Sequence, residues 1–143
     1  MLIPRVTYGP FEYETKLVAS ACQGIASNKV TQFGPLDLWR DYLHVHDLAR
    51  AITILFGSTR EGVVNLASGE PIRQSHLIET LASLSDRGDL FNMGKRLPFS
   101  NDPPILFADT NIIRSLGWHP EIALEDGLAA TLHWWRGQYR HAA

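Results

Sequence analysis

Apolar positions along the chain follow two patterns that alternate. Apolar residues three or four positions apart, which are typical of helices with one buried face, predict four helices. They are Glu14–Ser27, Asp47–Phe56, a helix that Ser75 caps, and a last one from Leu124 to Tyr139. Short apolar runs predict strands at Leu2–Val6, Val30–Phe33, Leu43–Val45, Val63–Ala67 and Ile105–Phe107. Because strands and helices alternate, the sequence predicts the α/β class.

The least regular stretch runs from Asp86 to Pro104 and contains two glycines and three prolines. This composition predicts a long loop, and long loops in compact domains are often functional. After it, Asp109 is predicted to cap a short helix that ends at Gly117.

Composition narrows the class of protein. The chain has 143 residues, of which 45% are hydrophobic, enough for one domain with its own core. A net charge of −2 argues against a dedicated nucleic-acid binder. The single Cys22 excludes an internal disulfide and fits a reducing compartment. No apolar run approaches the ~20 residues that span a bilayer, so we expect a cytoplasmic protein with no membrane partner.

The most informative segment is Arg40-Asp41-Tyr42-Leu43-His44-Val45-His46-Asp47. A short apolar strand leads directly into an amphipathic helix, with an arginine before the strand. Asp47 falls in the first helical turn, where the helix dipole favours negative charge. Three further segments stand around it in a fixed order. They are Tyr8-Gly9-Pro10, the segment Gly62 to Glu70, and Ala108-Asp109 followed by Leu116-Gly117-Trp118-His119-Pro120 and Leu124-Glu125-Asp126-Gly127-Leu128.

Together the four segments resemble the extended short-chain dehydrogenase/reductase family, which comprises nucleotide-sugar epimerases, dehydratases and reductases. The resemblance implies the C-terminal part of a Rossmann-like fold. Strands Leu2–Val6 and Val63–Ala67 would be the last two of the parallel sheet, and the rest a small substrate-binding lobe. It also implies NAD or NADP as the cofactor of the complete fold. The chain has neither the family's Gly-x-x-Gly-x-x-Gly turn nor its Tyr-x-x-x-Lys pair. We therefore expect residues 1–143 to form a single substrate-binding domain without the cofactor-binding half, and with no catalytic or cofactor-binding residues of its own.

The resemblance implies four substrate-binding residues. Arg40 would contact the diphosphate of a nucleotide-sugar, since a guanidinium binds phosphate through two parallel hydrogen bonds. The alternative is a surface arginine paired with Asp37 or Asp41. Thr31 and Phe33 would hold the base, although Phe33 is equally explained as a core residue. Asp102 would accept hydrogen bonds from ribose hydroxyls.

The chain departs from the family pattern at several positions. Phe99 stands where the family has a second arginine, and Lys95 or Arg96 are the nearby cations. Ile3 and Val6 replace an arginine and an asparagine ahead of Tyr8-Gly9-Pro10. His44 and His46 share one face of a strand, but no acid or cysteine at ligand spacing completes a metal site.

The sequence therefore predicts the nucleotide-sugar-binding portion of an NAD(P)-dependent epimerase, dehydratase or reductase, incomplete as a catalyst by itself. The alternatives are a non-catalytic interaction or nucleotide-sugar-binding module, or a truncated gene product. Without the preceding strands, one edge of the sheet would be open beside Leu2–Val6. The expected partners are thus the missing half or a second copy of the chain.

Overall fold

The computed structural model describes residues 1–4, 6–94 and 102–140. Within these residues the helices are α1 (Leu17–Ser27), α2 (Val45–Phe56), α3 (Gln74–Ser85), α4 (Asn111–Ser115) and α5 (Leu124–Arg140). The strands are β1 (Leu2–Pro4), β2 (Val6–Tyr8), β3 (Thr31–Gln32), β4 (Trp39–Arg40), β5 (Tyr42–His44), β6 (Val64–Leu66), β7 (Ile72–Arg73), β8 (Phe91–Asn92) and β9 (Ile105–Leu106). A 3₁₀ turn covers Gly88–Leu90.

Most strand pairs are parallel, which confirms the predicted α/β class. Strand β1 pairs with β6, β2 with β5, and β3 with β8, all in parallel. Strand β4 is the centre of a three-stranded sheet, antiparallel to β7 and parallel to β9. This register sets Arg40 opposite Ile72 on one side and Leu106 on the other.

The prediction of one strand over Leu2–Val6 is wrong. The chain forms two strands there, β1 and β2, which belong to different sheets. Apolar residues stand on both sides of residue 5, so the sequence pattern is continuous. Such a pattern does not show that the chain changes from one neighbouring strand to another.

Helix α1 begins at Leu17, three residues later than predicted. The preceding residues form a turn in which the backbone N–H of Lys16 donates to the carbonyl of Tyr13. The Glu12 carboxylate accepts the N–H of Ala19 at 3.1 Å and so satisfies one of the free amides of the first turn. The cap therefore comes from a side chain outside the helix.

The prediction that Ser75 caps α3 is also wrong, because the N-cap residue is Arg73. The N–H groups of Gln74 and Ser75 donate to the carbonyls of Leu38 and Leu36. These backbone acceptors satisfy two amides of the first turn of α3, which begins one residue before Ser75.

The region predicted as a loop from Asp86 to Pro104 is partly ordered into elements, because β8 pairs with β3. Residues 95–101, which include Lys95, Arg96 and Phe99, lie outside the described part. After it, the Asp109 carboxylate accepts the N–H of Asn111 at 2.9 Å, although the N-cap residue of α4 is Thr110. The helix ends at Ser115 and not at Gly117 as predicted; Leu116 is its C-cap, and Gly117 follows with a φ of +82°, which suits glycine.

The core consists of two clusters. One lies between α1, α3 and α5, and its fully buried members include Val18, Leu77, Leu81 and Leu128. The second joins α2, β6 and α4, and centres on Leu66, Ile113 and Trp118. Within the described residues, no helix is both long and apolar enough to cross a membrane.

Candidate functional site

Arg40 ends strand β4, and its side chain is buried although it is charged. The residue is 5% exposed. Its Nη1 donates to the carbonyl of Trp39 at 2.8 Å, and its Nη2 donates to Oδ1 of Asp102 at 2.6 Å. Neither Asp37 nor Asp41 is its partner, so the alternative of a surface ion pair with one of them is wrong. The structure instead joins two of the four residues predicted to bind substrate.

The parallel pairing of β4 with β9 explains how residues 62 positions apart meet. Leu106 lies opposite Arg40, and Asp102 precedes β9 by three residues, within reach of the Arg40 side chain. The side chain of Asp102 is 38% exposed, whereas that of Arg40 is 6% exposed. The pair thus lies at the protein surface. The Arg40 guanidinium is on its buried side, and the Asp102 carboxylate is accessible to solvent.

Asp41, the next residue, is 1% exposed and its carboxylate holds a distant loop. Oδ1 accepts hydrogen bonds from the backbone N–H of Ser68 at 2.8 Å and from its hydroxyl at 2.6 Å. Oδ2 accepts from the N–H of Gly69 at 3.0 Å and from that of Ala108 at 3.4 Å. The segment after β6 and the segment after β9 are therefore both fastened to the residue beside Arg40.

Thr31 and Phe33 lie elsewhere, in and beside the β3–β8 pair. The Thr31 hydroxyl donates to the carbonyl of Ser20 at 3.4 Å. Phe33 is 4% exposed and contacts Phe91 edge to face, with ring centroids 5.5 Å apart. The structure thus places Phe33 in internal packing and leaves Thr31 half-buried, and the roles of both in binding a base stay predictions.

A cavity of about 360 Å³ lies beside this site, between the segment after β6 and the start of α5. Its polar wall includes Tyr8, Tyr42, His44 and Asp47. Burial raises the pKa of Tyr42 to about 12, and burial, aided by the Asp47 charge, raises the pKa of Tyr8 further, so both phenols stay protonated at neutral pH.

His44 lines this cavity and is the N-cap residue of helix α2. Its Nδ1 accepts the backbone N–H of His46 at 3.3 Å, which assigns the hydrogen of the neutral ring to Nε2. Burial, and secondarily the neighbouring His46, lowers the pKa of His44. Nε2 has no hydrogen-bond partner among the described residues. Its ring is 5.3 Å from that of Tyr8, centroid to centroid.

Asp47 repeats the role of Asp41 at the other end of the motif. Its buried carboxylate accepts the N–H groups of Glu121 at 3.2 Å and of Ile122 at 3.0 Å. It also pairs with Arg50 at 2.7 Å. The two aspartates of the motif are therefore both acceptors for backbone amides, not groups left free for chemistry.

The sequence did not predict the hydrogen bonds of the Asp41 and Asp47 carboxylates. Their partners are backbone amides, which nearly every residue has, so no residue type identifies them. The only available signal was position, since Asp41 directly precedes β5 and Asp47 stands in the first turn of α2. The rings of His44 and His46 are 5.0 Å apart, and no group of three potential metal ligands occurs within the described residues.

Comparison with known proteins gives the family context of this geometry. Residues 1–67 match the model of the NAD dependent epimerase/dehydratase family. The chain is 30% identical over 133 residues to a dTDP-glucose 4,6-dehydratase of Streptomyces niveus, covering 90% of this chain and 39% of that protein. It is 27% identical over 141 residues to a GDP-6-deoxy-D-mannose reductase of Pseudomonas aeruginosa, covering 92% and 46%. The chain thus spans less than half the length of these relatives.

Solved structures of similar enzymes superpose on this chain. The RMD protein of Pseudomonas aeruginosa, solved with NADPH, superposes with a TM-score of 0.86 at 25% identity, over 96% of this chain and 48% of that one. A UDP-glucose 4-epimerase of Thermotoga maritima, solved with UDP-glucose, gives a TM-score of 0.86 at 23% identity, over 96% and 45%. Residues 1–67 therefore match the NAD-dependent epimerase/dehydratase family, and the chain as a whole has the fold of part of a Rossmann-like short-chain dehydrogenase/reductase.

Proposed function

We propose that this chain is the nucleotide-sugar-binding, C-terminal half of an NAD(P)-dependent sugar epimerase, dehydratase or reductase. The observation that carries the proposal is the buried Arg40, held in place by the Trp39 carbonyl and facing solvent through Asp102. An arginine is buried this deeply only when its charge is matched. Its partner here is an accessible carboxylate, which a ligand phosphate can replace.

The guanidinium chemistry suits a diphosphate. Arginine offers five N–H donors in a planar fork that matches phosphate oxygens, and its charge persists at every physiological pH. Asp41 makes the site rigid, because it fastens the Ser68 and Ala108 segments to the residue next to Arg40. Thr31, Phe33 and Asp102 are proposed to hold the nucleoside, by analogy with the relatives. Phe33 would have to leave its contact with Phe91 to stack on a base.

We propose that the described residues do not form a dinucleotide site. In the family a dinucleotide pyrophosphate is bound by free backbone N–H groups after a parallel strand. After β6, the N–H groups of Ser68 and Gly69 already donate to the Asp41 carboxylate. No Gly-x-x-Gly-x-x-Gly turn occurs in the sequence. We therefore derive no redox step for this chain and propose that NAD or NADP binds to a complementary half.

The open side of β1 supports the idea of such a half. Among the described strands, β1 pairs only with β6. Leu2 and Met1 are 41% and 75% exposed beside that edge. A cofactor-binding half or a second copy of the chain would pair there. We propose the cytoplasm as the location, because nucleotide-sugars and reduced thiols such as Cys22 belong to that compartment.

Binding of nucleotides to the purified chain tests the proposal. Isothermal calorimetry and thermal shift would be measured with UDP-, GDP-, CDP- and dTDP-sugars, since a ligand specific for the folded state raises the melting temperature. Arg40→Ala is expected to weaken binding about ten- to a hundredfold, the usual value of hydrogen bonds to a charged group. Arg40→Lys restores part of the loss, because an ammonium lacks the fork. NAD is expected not to bind.

Arg87→Ala is the matched control, since Arg87 also pairs with an aspartate, Asp89, but on the surface. This variant should bind like the wild type. The proposal fails if no nucleotide binds, which would favour an interaction module, or if a bound nucleotide keeps its affinity in Arg40→Ala. A micromolar dissociation constant for NAD would contradict the proposal that the dinucleotide binds to a complementary half.

A further inference from the structure

Five aromatic side chains line an open groove between the turn that precedes α1 and the last turns of α5. Its volume is about 500 Å³, and the rings are those of Phe11, Tyr13, Trp134, Trp135 and Tyr139. Phe11 and Tyr13 are 86% and 72% exposed. The Phe11 and Trp134 rings are in contact, with centroids 4.8 Å apart. Contiguous exposed apolar surface of this kind marks an interaction site, and we call it the aromatic groove.

The backbone holds the Phe11 ring in the groove at an energetic cost. The N–H of Glu12 donates to the carbonyl of Gly9, and Phe11 in this turn has a φ of +65°. Among the described residues, the other non-glycine residues with a positive φ are Asn28 and Asp86, whose side chains tolerate this conformation. A bulky phenylalanine does not, and such strain is concentrated at functional sites. Phe11 belongs to neither core cluster, so packing of the core does not explain its position.

Two carboxylates, those of Glu12 and Glu14, also line the groove, and no lysine or arginine of the described part lines it. Neither acid forms an ion pair with any described residue. Burial raises the pKa of Glu12 to about 7, and the Ala19 amide and the Lys16 charge oppose this shift only in part. A cation in the groove would therefore stabilise a carboxylate whose charged form is penalised by burial.

This combination of rings and acids suits a quaternary ammonium ion. The negative face of an aromatic ring attracts a cation, and rings around a quaternary ammonium are a recurrent form of this contact. Small inorganic cations instead require several oxygen ligands, and no group of three potential metal ligands occurs within the described part. A primary ammonium has three N–H donors that need acceptors, whereas a quaternary ammonium has none. The volume of the groove also falls in the range of small-molecule sites, ~300–1,000 Å³.

We propose that the aromatic groove binds a small molecule with a quaternary ammonium head group. Cation–π contacts with Phe11, Tyr13 and Trp134 hold the head group, and the charge of Glu12 attracts it. The inference is independent of the proposed function, because Arg40 does not line the groove. The two proposals can therefore fail separately.

Choline and its uncharged isostere 3,3-dimethylbutan-1-ol test the inference at pH 8, where Glu12 is charged. Proton–nitrogen NMR of the full chain at constant ionic strength follows the indole N–H groups of the four tryptophans. Choline should shift the Trp134 and Trp135 resonances. It should leave that of Trp39 unchanged, because the Trp39 ring already lies 5.4 Å from the Arg73 guanidinium. The dissociation constant should be about tenfold lower for choline than for the isostere.

Substitutions of Phe11 separate the effect of the ring from that of apolar area. Phe11→Leu keeps an apolar side chain at the same φ but has no ring face. Choline should bind this variant about three- to thirtyfold more weakly, with little change for the isostere. Phe11→Tyr keeps the ring and should bind choline like the wild type. Glu12→Gln removes the charge and should weaken choline binding about fivefold.

Phe56→Leu is the matched control, since Phe56 is 85% exposed but is the last residue of helix α2, and it should change neither affinity. The inference is overturned if choline shifts neither the Trp134 nor the Trp135 resonance. It is also overturned if the isostere binds as tightly as choline, since the groove would then be an apolar surface for a protein partner. Equal choline affinity of the wild type and Phe11→Leu, both folded by circular dichroism, has the same consequence.

Discussion

The carboxylate of Asp41 accepts hydrogen bonds from both the backbone N–H and the hydroxyl of Ser68, 27 residues further along the chain, at 2.8 and 2.6 Å. With Gly69 and Ala108 it has four donors around two oxygens, all in a place where the residue is 1% exposed. A buried carboxylate is tolerated only when its oxygens are satisfied in this way. Asp41 is thus the point at which the segments after β6 and β9 meet the strand that carries Arg40.

Asp41→Asn should therefore destabilise the protein by about 2–4 kcal/mol, because the new amide nitrogen faces N–H groups that lose their acceptor. Urea denaturation followed by circular dichroism measures the change in the free energy of unfolding. Asp37→Asn is the control, since Asp37 is exposed, and should stay within about 0.5 kcal/mol of wild type. Equal stability of the two variants would show that the Asp41 bonds do not hold these segments.

Two glycines of helix α5 should respond oppositely to alanine. A Cβ at Gly127 would overlap the Tyr8 hydroxyl and lie 3.1 Å from Cζ of that ring, and 3.2 Å from Cδ2 of His44. A Cβ at Gly137 would meet no heavy atom within 4 Å. Gly127→Ala should cost about 1–3 kcal/mol through overpacking, whereas Gly137→Ala should gain about 0.5–1 kcal/mol of helix stability.

Thermal melts of both variants test whether Gly127→Ala lowers the melting temperature and Gly137→Ala raises it. A stabilised Gly127→Ala would mean that α5 is not packed this closely against Tyr8 and His44. Because the same substitution is made twice in one helix, differences in intrinsic helix propensity cancel.

The sequence predicts long periodic elements well and short ones badly. Helices α2 and α5 are found within two residues of their predicted starts, because each has several turns of spaced apolar residues. Strands β4, β7 and β8 have two residues each, too few to show any period, and the pattern did not predict them. Yet β4 and its neighbour β9 are the strands that bring Arg40 and Asp102 together.

The candidate site shows the same division. Resemblance to a family pointed to Arg40 and Asp102 separately, but their ion pair depends on a strand register between residues 62 positions apart. No local pattern encodes such a register. Phe33 had two interpretations in the sequence, and only its burial against Phe91 shows that the ring packs inside the protein.

Glu12 should make stability depend on pH. Burial raises the pKa of its carboxyl from an ordinary value of 4.5 to about 7, although the Ala19 amide and Lys16 oppose the shift. Between these two values the folded state holds a proton that the unfolded state has lost, so stability falls as pH rises from about 4.5 to 7. The folded protein is thus penalised above pH 7, where Glu12 is charged in both states.

Glu12→Gln removes this penalty, because its amide oxygen still accepts the Ala19 N–H without carrying charge. Its melting temperature should exceed that of wild type at pH 8, and the difference should disappear towards pH 4. Glu14→Gln, an exposed neighbour, is the control and should follow the wild-type profile. Parallel profiles for wild type and Glu12→Gln from pH 4 to pH 8 would contradict the raised pKa.

Among the described strands β1 pairs only with β6, and its other edge should cause the isolated chain to self-associate. A strand edge with unpaired N–H and C=O groups is a template for another strand, and lysine on such an edge prevents pairing. Leu2 is 41% exposed there, so Leu2→Lys adds a charge without burying it. Sedimentation velocity over a range of concentrations should show oligomers for wild type and a shift towards monomer for Leu2→Lys. Phe56→Lys is the matched control, because Phe56 is 85% exposed but is the last residue of helix α2 and belongs to no strand. If Phe56→Lys dissociates the oligomers as well as Leu2→Lys does, exposed apolar surface in general is responsible. A wild-type chain that sediments as a monomer at every concentration would show that the β1 edge does not pair.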